Sequence, residues 1–256
     1  MTSETCRCCK AMTRPAFQGV IFENTIQYFD CPNCGYIQTE LPYWLDKAYA
    51  SAINKNDTGI ILRNTANAKL TIATTWALGI QNGIVVDYAG GYGLLVRNLR
   101  DYGIEALWYD PYCTNLFAKG FEFKNEQAVL TTAFEVFEHF VHPCDEIEKI
   151  LKISPNILIS TELAPTPTPK QDEWWYYGKE HGQHIGFYKH KTLEYIAKKF
   201  GKELITDGKS YHLLTNKKMK SLNWKIIKKI ALNFPWIYTR NLNSKTLLDH
   251  KKFHTT

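Results

Sequence analysis

Between residues 83 and 93 the chain reads Gly83-Ile84-Val85-Val86-Asp87-Tyr88-Ala89-Gly90-Gly91-Tyr92-Gly93, and an apolar helical pattern follows through Leu94, Leu95, Val96 and Leu99. A short β-branched strand, a glycine turn and a helix in this order form the entry to a nucleotide site. The glycines permit a tight turn and close backbone approach, and the helix N-terminus offers free N–H groups to a ligand. A second strand is expected over Ile104 to Tyr109. It ends on Asp110, whose carboxylate can accept both hydroxyls of a ribose. A glycine turn paired with an acid at the end of the next strand serves dinucleotide and adenosyl cofactors alike, so these residues alone leave both open.

Upstream lie Cys6-x-x-Cys9 and Cys31-x-x-Cys34, and five of the seven cysteines fall within the first 34 residues. The intervening chain is long enough for a β-hairpin that brings both pairs to one ion, and four thiolates suit structural zinc. Cys8 lies inside the first pair and can replace a neighbour as ligand. The hairpin segment from Phe17 to Phe29 lacks interleaved Arg and Lys, which makes nucleic acid an unlikely partner. No apolar run reaches the length of a membrane span, and the N-terminus lacks the apolar stretch of a signal peptide, so a cytoplasmic protein is expected. The net charge of +6 is concentrated late, in Lys217-Lys218-Met219-Lys220 and between Lys225 and Lys229.

Further along, an apolar strand at Ala128 to Thr132 precedes Phe134-Glu135-Val136-Phe137-Glu138-His139-Phe140. A helix near Asp145 to Leu151, a strand at Ile157 to Thr161, a helix at Lys191 to Phe200 and a final strand pair turning at Asp207-Gly208 complete the pattern. The stretch Asp87 to Gly93 resembles the acidic glycine motif of class I S-adenosylmethionine-dependent methyltransferases, D/E-x-G-x-G-x-G, with Ala89 at its first glycine position. Glu135 to His139 resembles the EVLEH motif of the same superfamily, and Asp57-Thr58-Gly59 with Arg63-Asn64 is similar to the segment before the cofactor fold in its zinc-ribbon members.

The resemblance implies an α/β fold: a Rossmann-like, seven-stranded, mostly parallel sheet with helices on both faces, plus a small N-terminal zinc ribbon. The resemblance spans about residues 6–216, and the expected division is a zinc module (1–45), a helical connector over the cofactor site (46–80), the methyltransferase domain (81–216) and, beyond the resemblance, a basic extension (217–256). It also implies that Asp87 orders the glycine loop, that Gly91 and Gly93 admit the methionyl part and that Asp110 binds ribose, with Ala89, Gly90 and Glu135 completing the cofactor-binding set. Zinc is expected on Cys6, Cys9, Cys31 and Cys34.

On the acceptor side His139 is the candidate base, because its pKa can lie near working pH, with Glu138 orienting it. If Glu135 to His139 continue as a helix, Glu135, Glu138 and His139 share one face and can hold a divalent ion such as Mg2+. Trp174 to Gly178 and Gly182 to Tyr188 are rich in aromatic and hydrogen-bonding groups. They are candidates for a sugar pocket, with His184 and Tyr188 at its mouth, although such aromatics more often pack a core. The ribbon and the Glu-His pair together are similar to sugar methyltransferases of bacterial polysaccharide and deoxysugar pathways, so the expected acceptor is a nucleotide-linked or surface-polysaccharide sugar. An NAD(P)-dependent oxidoreductase and a zinc-ribbon nucleic-acid-binding protein are the competing functions, and the oligomeric state is open.

Overall fold

The computed structural model describes residues 4–49 and 58–254. In chain order the elements are β1 (Arg14–Ile21), β2 (Asn24–Asp30), β3 (Ile37–Thr39), α1 (Leu45–Ala48), α2 (Ile60–Leu78), β4 (Ile84–Tyr88), α3 (Leu94–Asp101), β5 (Ala106–Tyr109) and β6 (Ala128–Phe134). There follow α4 (Pro143–Ile153), β7 (Ile157–Ser160), β8 (Gly186–Phe187), α5 (His190–Lys199), β9 (Glu203–Thr206), β10 (Tyr211–Thr215), α6 (Ser221–Asn233), α7 (Trp236–Thr239) and α8 (Thr246–His254). Hydrogen bonding orders one sheet as β5-β4-β6-β7-β10-β9 and a second, smaller one as β1-β2-β3-β8.

The larger sheet has six strands among the described residues where seven are expected. Beyond β5 the pairing is confined to a single parallel bridge between Trp108 and Glu122, too short to count as a strand. β4 runs parallel to both β5 and β6. Its sequence, Ile-Val-Val-Asp-Tyr, is buried from Val85 to Tyr88, as a central strand with cover on both faces requires. The β9–β10 turn is held by Asp207, whose Oδ1 accepts the N–H groups of Lys209, Ser210 and Tyr211.

Contacts divide the chain into two compact units, one of Met1–Asn54, Glu135–Lys149 and Ile159–Leu214, the other of Lys55–Phe134, Ile150–Leu158 and Thr215–Thr256. The first unit contains the cysteine segment. Its antiparallel hairpin β1–β2 continues into β3, and β3 pairs with β8 through Ile37–Phe187 and Gln38–Gly186. Its core is aromatic: Tyr28, Trp44, Trp174, Tyr176, Tyr177 and Phe187 are all buried together. Trp174 and Tyr177 therefore pack the interior rather than wall an open pocket, and Trp175 is 77% exposed.

In the second unit α2 forms most of the expected helical connector; residues 50–57, including Asp57 of the sequence match, lie outside the described residues. The helix buries Thr71, Thr74 and Thr75 by returning each hydroxyl to a backbone carbonyl one turn earlier. The basic region from 217 onward is folded as α6, α7 and α8. Its anchor is Asp249, which takes hydrogen bonds from Arg100 Nε and Nη2 at 2.8 and 2.7 Å and from Arg97 Nη2 at 2.9 Å. Arg100 also meets Glu105 and lies 3.7 Å from the Phe121 ring centre.

Burial alone would raise the Asp249 pKa, but the hydrogen bonds from Arg100 and Arg97 outweigh it and hold the carboxyl below its usual range. The pair therefore stabilises the fold above the ordinary Asp value of about 4, and this contribution is lost as pH falls through the lower folded value. We expect Asp249→Ala to cost about 2–3 kcal/mol, less than a fully orphaned buried charge because Glu105 still faces Arg100. Urea unfolding at neutral pH checks this, and an unchanged midpoint would show that the region is not anchored here.

Candidate active site

The glycine turn lies in the second unit. Asp87, at the end of β4, is buried, and its Oδ1 accepts the Thr132 hydroxyl of β6 at 2.7 Å. Burial pushes its pKa up to about 7 against the opposing effect of that hydrogen bond. Ala89 stands at the first glycine position of the motif with φ 56°, a left-handed conformation that a Cβ makes costly, so the turn keeps the glycine geometry without the glycine. Gly91 has φ 54°, and a Cβ added there would project into open space, leaving its backbone accessible to a ligand. Gly93 has φ 86°, and a Cβ there would come within 2.7 Å of Asn115 Oδ1, so this position requires glycine for both its torsion and its room.

Asp110 closes the turn. Its Oδ2 accepts the Gly91 N–H at 2.9 Å, and its Oδ1 accepts the N–H groups of Tyr112 and Cys113 at 2.8 and 2.9 Å. Trp108 Nε1 donates to the Gly91 carbonyl at 2.9 Å and fixes the following peptide, so both peptides flanking Gly91 are held. The carboxylate expected to meet a ribose is thus also the clamp that shapes the loop. A carboxylate has about four lone-pair sites, so acceptor capacity remains beside these three N–H groups.

The Glu-His segment lies in the first unit, where the expected helix from Glu135 does not form. Glu135 has φ 56°, and only Phe137–His139 make a turn of 3-10 helix, so Glu135, Glu138 and His139 do not share a helical face. A left-handed residue breaks the α-helical register at the first of the three. Glu135 instead turns to Ser160, whose hydroxyl donates to its Oε1 at 2.6 Å.

Glu138 is fully buried. Tyr176 Oη donates to its Oε1 at 2.6 Å, while Oε2 has no hydrogen-bond partner among the described residues. Burial raises its pKa to about 7, the Tyr176 hydrogen bond opposing. His139 Nδ1 lies 3.0 Å from the Gln183 carbonyl and 3.0 Å from Tyr49 Oη. A carbonyl only accepts, so that contact puts the proton on Nδ1 and leaves the lone pair on Nε2. His184 repeats the arrangement, with Nδ1 at 2.6 Å from the Tyr176 carbonyl and Nε2 at 4.0 Å from Glu138 Oε1. Burial lowers the pKa of both imidazoles, that of His184 well below the ordinary range, so both are neutral at neutral pH. Tyr188 is a structural neighbour, fully buried and donating to the Phe137 carbonyl at 2.8 Å.

Ligand atoms of Glu138, His139 and His184 lie within 4.8 Å of one another, as do the sulfurs of Cys6, Cys9, Cys31 and Cys34. Two imidazoles and a carboxylate are a donor set for a transition metal rather than for Mg2+, which takes oxygen ligands. Cys6–Cys34 and Cys9–Cys31 are separated by 3.7 and 3.4 Å, close to the roughly 3.8 Å edge of a tetrahedron with 2.3 Å zinc–sulfur bonds. Cys8 is outside the group and approaches Cys144 instead, at 3.9 Å. Sequence reasoning missed Thr132, Tyr49 and Ser160, which reach the candidate residues through tertiary contacts that leave no local signal, and it named Tyr176 and Gln183 only within the candidate pocket segments, not as partners of Glu138 and His139.

Residues 62–207, more than half of the chain, match the methyltransferase domain family. The chain belongs to that family. This methyltransferase is similar in structure to the Burkholderia thailandensis 1,6-didemethyltoxoflavin-N1-methyltransferase, solved with 1,6-didemethyltoxoflavin and S-adenosylhomocysteine. The two are 13% identical over 78% of this chain and 97% of the other, with a TM-score of 0.51. It is also similar to CalO1, a methyltransferase in calicheamicin biosynthesis, at 12% identity and a TM-score of 0.41. That match covers 59% of this chain and spans about half, 54%, of the length of CalO1. A third likeness is to the Synechocystis PCC 6803 magnesium protoporphyrin IX methyltransferase, at 14% identity and a TM-score of 0.41 over 68% and 90% of the two chains. No curated protein sequence matches significantly. The six-stranded sheet and the family match together establish the class I methyltransferase fold.

Glu138 offers a direct test of site electrostatics. A carboxyl whose folded pKa is raised to about 7 keeps its proton while the unfolded chain loses it, so it makes stability fall between the ordinary 4.5 and about 7. A shift of that size corresponds to about 3 kcal/mol. Glu138→Gln is expected to remove this contribution and to raise stability above pH 7; Asp87, raised from 3.8 to about 7, leaves a slope of at least similar size in the same window. Urea unfolding across that pH range checks it, and an unaltered slope would mean that Glu138 is not held protonated.

Proposed function

We propose that the enzyme transfers a methyl group from S-adenosylmethionine to a hydroxylated small molecule, and that this acceptor is a nucleotide-linked or surface-polysaccharide sugar. The cofactor reading is carried by the glycine turn inside the family match: Gly91 presents open backbone, and Asp110 stands over it with acceptor capacity to spare. Asp87, Ala89, Gly90, Gly91 and Gly93 would cradle the cofactor, Asp110 would take its ribose hydroxyls, and Glu135 would complete the set. S-adenosylmethionine supplies a methyl group already activated on a sulfonium, so the protein's work is to align the acceptor and remove a proton. S-adenosylhomocysteine in the Burkholderia neighbour is in keeping with this cofactor.

The acceptor reading is carried by the orphan Oε2 of Glu138. A buried carboxyl oxygen without a partner is rare, and a substrate hydroxyl, which both donates and accepts, supplies one whether or not Glu138 carries its proton. His139, neutral and with its lone pair on Nε2, is the proposed base; Glu138 and His184 are the proposed groups that hold the acceptor hydroxyl. The zinc module is proposed to be structural, with all four thiolates bound and no open position for chemistry.

For the base, His139→Ala is expected to lower turnover by about 10²–10⁴-fold with little change in cofactor affinity. Because burial lowers the His139 pKa, the acid limb of the rate profile should fall below the ordinary imidazole value of about 6.5. Full activity of His139→Ala on the identified sugar would remove it from catalysis. A second reading, in which Glu138, His139 and His184 bind a transition metal, requires chelator to abolish activity while the cysteine-bound zinc stays in place.

For the module, elemental analysis is expected to give one zinc per chain, and Cys34→Ser to release it. Because β3 pairs with β8, the loss should raise amide exchange at residues 183–188 as well as in the hairpin. A zinc-free protein with a protected hairpin would overturn the assignment.

A further inference from the structure

Residues 217–254 hold ten lysines and arginines against one acid, Asp249, a net of +9 in a chain whose total is +6. The single acid is already paired with Arg97 and Arg100. The charge does not sit on a polar face. Along α6 the buried residues are Trp224 and Ala231, and α6 packs against α2 on that side. The outward stripe at i, i+3, i+4 and i+7 is Leu222, Lys225, Ile226 and Lys229, all exposed, so cations alternate with aliphatic groups on one helical face. The chain then runs directly into Phe234, Trp236 and Ile237, which are 53%, 57% and 42% exposed.

A surface that serves only solubility has no use for this apolar content, and a phosphate-binding surface needs the lysines without the leucine and isoleucines. The combination fits the boundary layer of a bilayer, where aliphatic and aromatic side chains enter the acyl region while lysines meet anionic headgroups. No helix of the described chain is long and apolar enough to cross a membrane, so attachment would be to one leaflet. We propose that α6 and the Phe234–Ile237 segment form a docking surface for an anionic lipid bilayer and hold this methyltransferase at a membrane face. The proposal is independent of the acceptor and of the metal sites, since none of these residues takes part in either.

The test is co-sedimentation of the full chain with vesicles of equimolar phosphatidylglycerol and phosphatidylcholine, with vesicles of phosphatidylcholine alone as reference. Binding to the anionic vesicles is expected, with a blue shift of tryptophan emission and quenching by brominated acyl chains. The signal is assigned to Trp236 by difference from Trp236→Phe, because the chain holds six other tryptophans, among them the exposed Trp175. The triple variant Leu222→Ser, Ile226→Ser, Trp236→Ser should lose vesicle binding at least tenfold while keeping its circular dichroism and melting midpoint, all three sites being exposed. Lys225→Gln with Lys229→Gln should weaken binding severalfold and flatten its salt dependence. Failure of the wild type to sediment with anionic vesicles would overturn the proposal. So would wild-type-like vesicle binding by the serine variant, or binding to duplex or single-stranded nucleic acid that is tighter than to vesicles and indifferent to the serine substitutions. Because Trp236 and the lysines lie outside the cofactor turn and the Glu-His segment, loss of methyl transfer in other variants cannot mimic these outcomes.

Discussion

The two-residue pairing of β3 with β8 ties the four-cysteine scaffold to the segment that carries His184. Ile37 and Gln38 lie just beyond Cys34, and they pair with Phe187 and Gly186. The pairing is reinforced by Arg7, set between Cys6 and Cys8, whose buried guanidinium donates from Nη2 to the Ile185 carbonyl at 2.6 Å and to the Thr39 carbonyl at 3.2 Å. Ile185 N–H in turn donates to the Glu138 carbonyl at 2.9 Å. A chain of main-chain bonds thus runs from the cysteine knuckle to the Glu-His turn. Placing a guanidinium in the interior is expensive; the Ile185 and Thr39 carbonyls compensate Nη2, while Nε and Nη1 have no partner among the described residues. The cysteine module is therefore less an appendage than a brace for the candidate acceptor site.

That dependence was not legible in the sequence. The two CxxC pairs, the glycine turn, the β4–α3 unit and the final hairpin at Asp207 are local patterns, each set by torsional preference and hydrophobic period, and these could be read residue by residue. The β3–β8 pairing joins residues far apart in the chain through two hydrogen-bonded partners. Nothing in either strand, three and two residues long, has the alternation that announces a strand. The expected helix at Glu135 failed for a related reason. Local spacing favoured it, but the backbone turns left-handed at Glu135 to place its N–H on Ser160, a tertiary bond that overrides propensity. The expected seventh strand shrank to a bridge at Glu122 because the chain there is occupied by turns.

The candidate site divides in the same way. Asp87, Gly91, Gly93 and Asp110 were legible because a turn that admits a ligand needs those residue types at that spacing. Partners set by tertiary structure were not: Thr132 and Trp108 meet them through the register of β4 with its neighbours, whereas the Tyr112 and Cys113 N–H groups reach Asp110 locally, two and three residues on. Ala89 shows how the two kinds of information interact. Read as a departure from the glycine motif, it weakens the match; in the structure it adopts the glycine torsion regardless, held by a turn whose flanks are bonded to Asp110 and Trp108. The surroundings determine the turn, and the residue tolerates it.

Glu138 is the point at which stability and chemistry separate. A fully buried carboxyl with one phenol donor and a second oxygen left bare is a poor solution to packing, since a glutamine or an apolar side chain of similar volume would avoid the desolvation. Tyr176 and Thr161 offset only part of that cost, and the half-buried His184 and His139 add no positive charge at neutral pH, their Nδ1 atoms being committed to backbone carbonyls. Within this cluster Glu138 Oε2 is the buried side-chain atom left without a hydrogen-bond partner among the described residues, and His184 Nε2 lies 4.0 Å from the other carboxyl oxygen. The unmet hydrogen-bonding capacity of Oε2 is the feature on which the proposed acceptor role of the Glu-His segment rests.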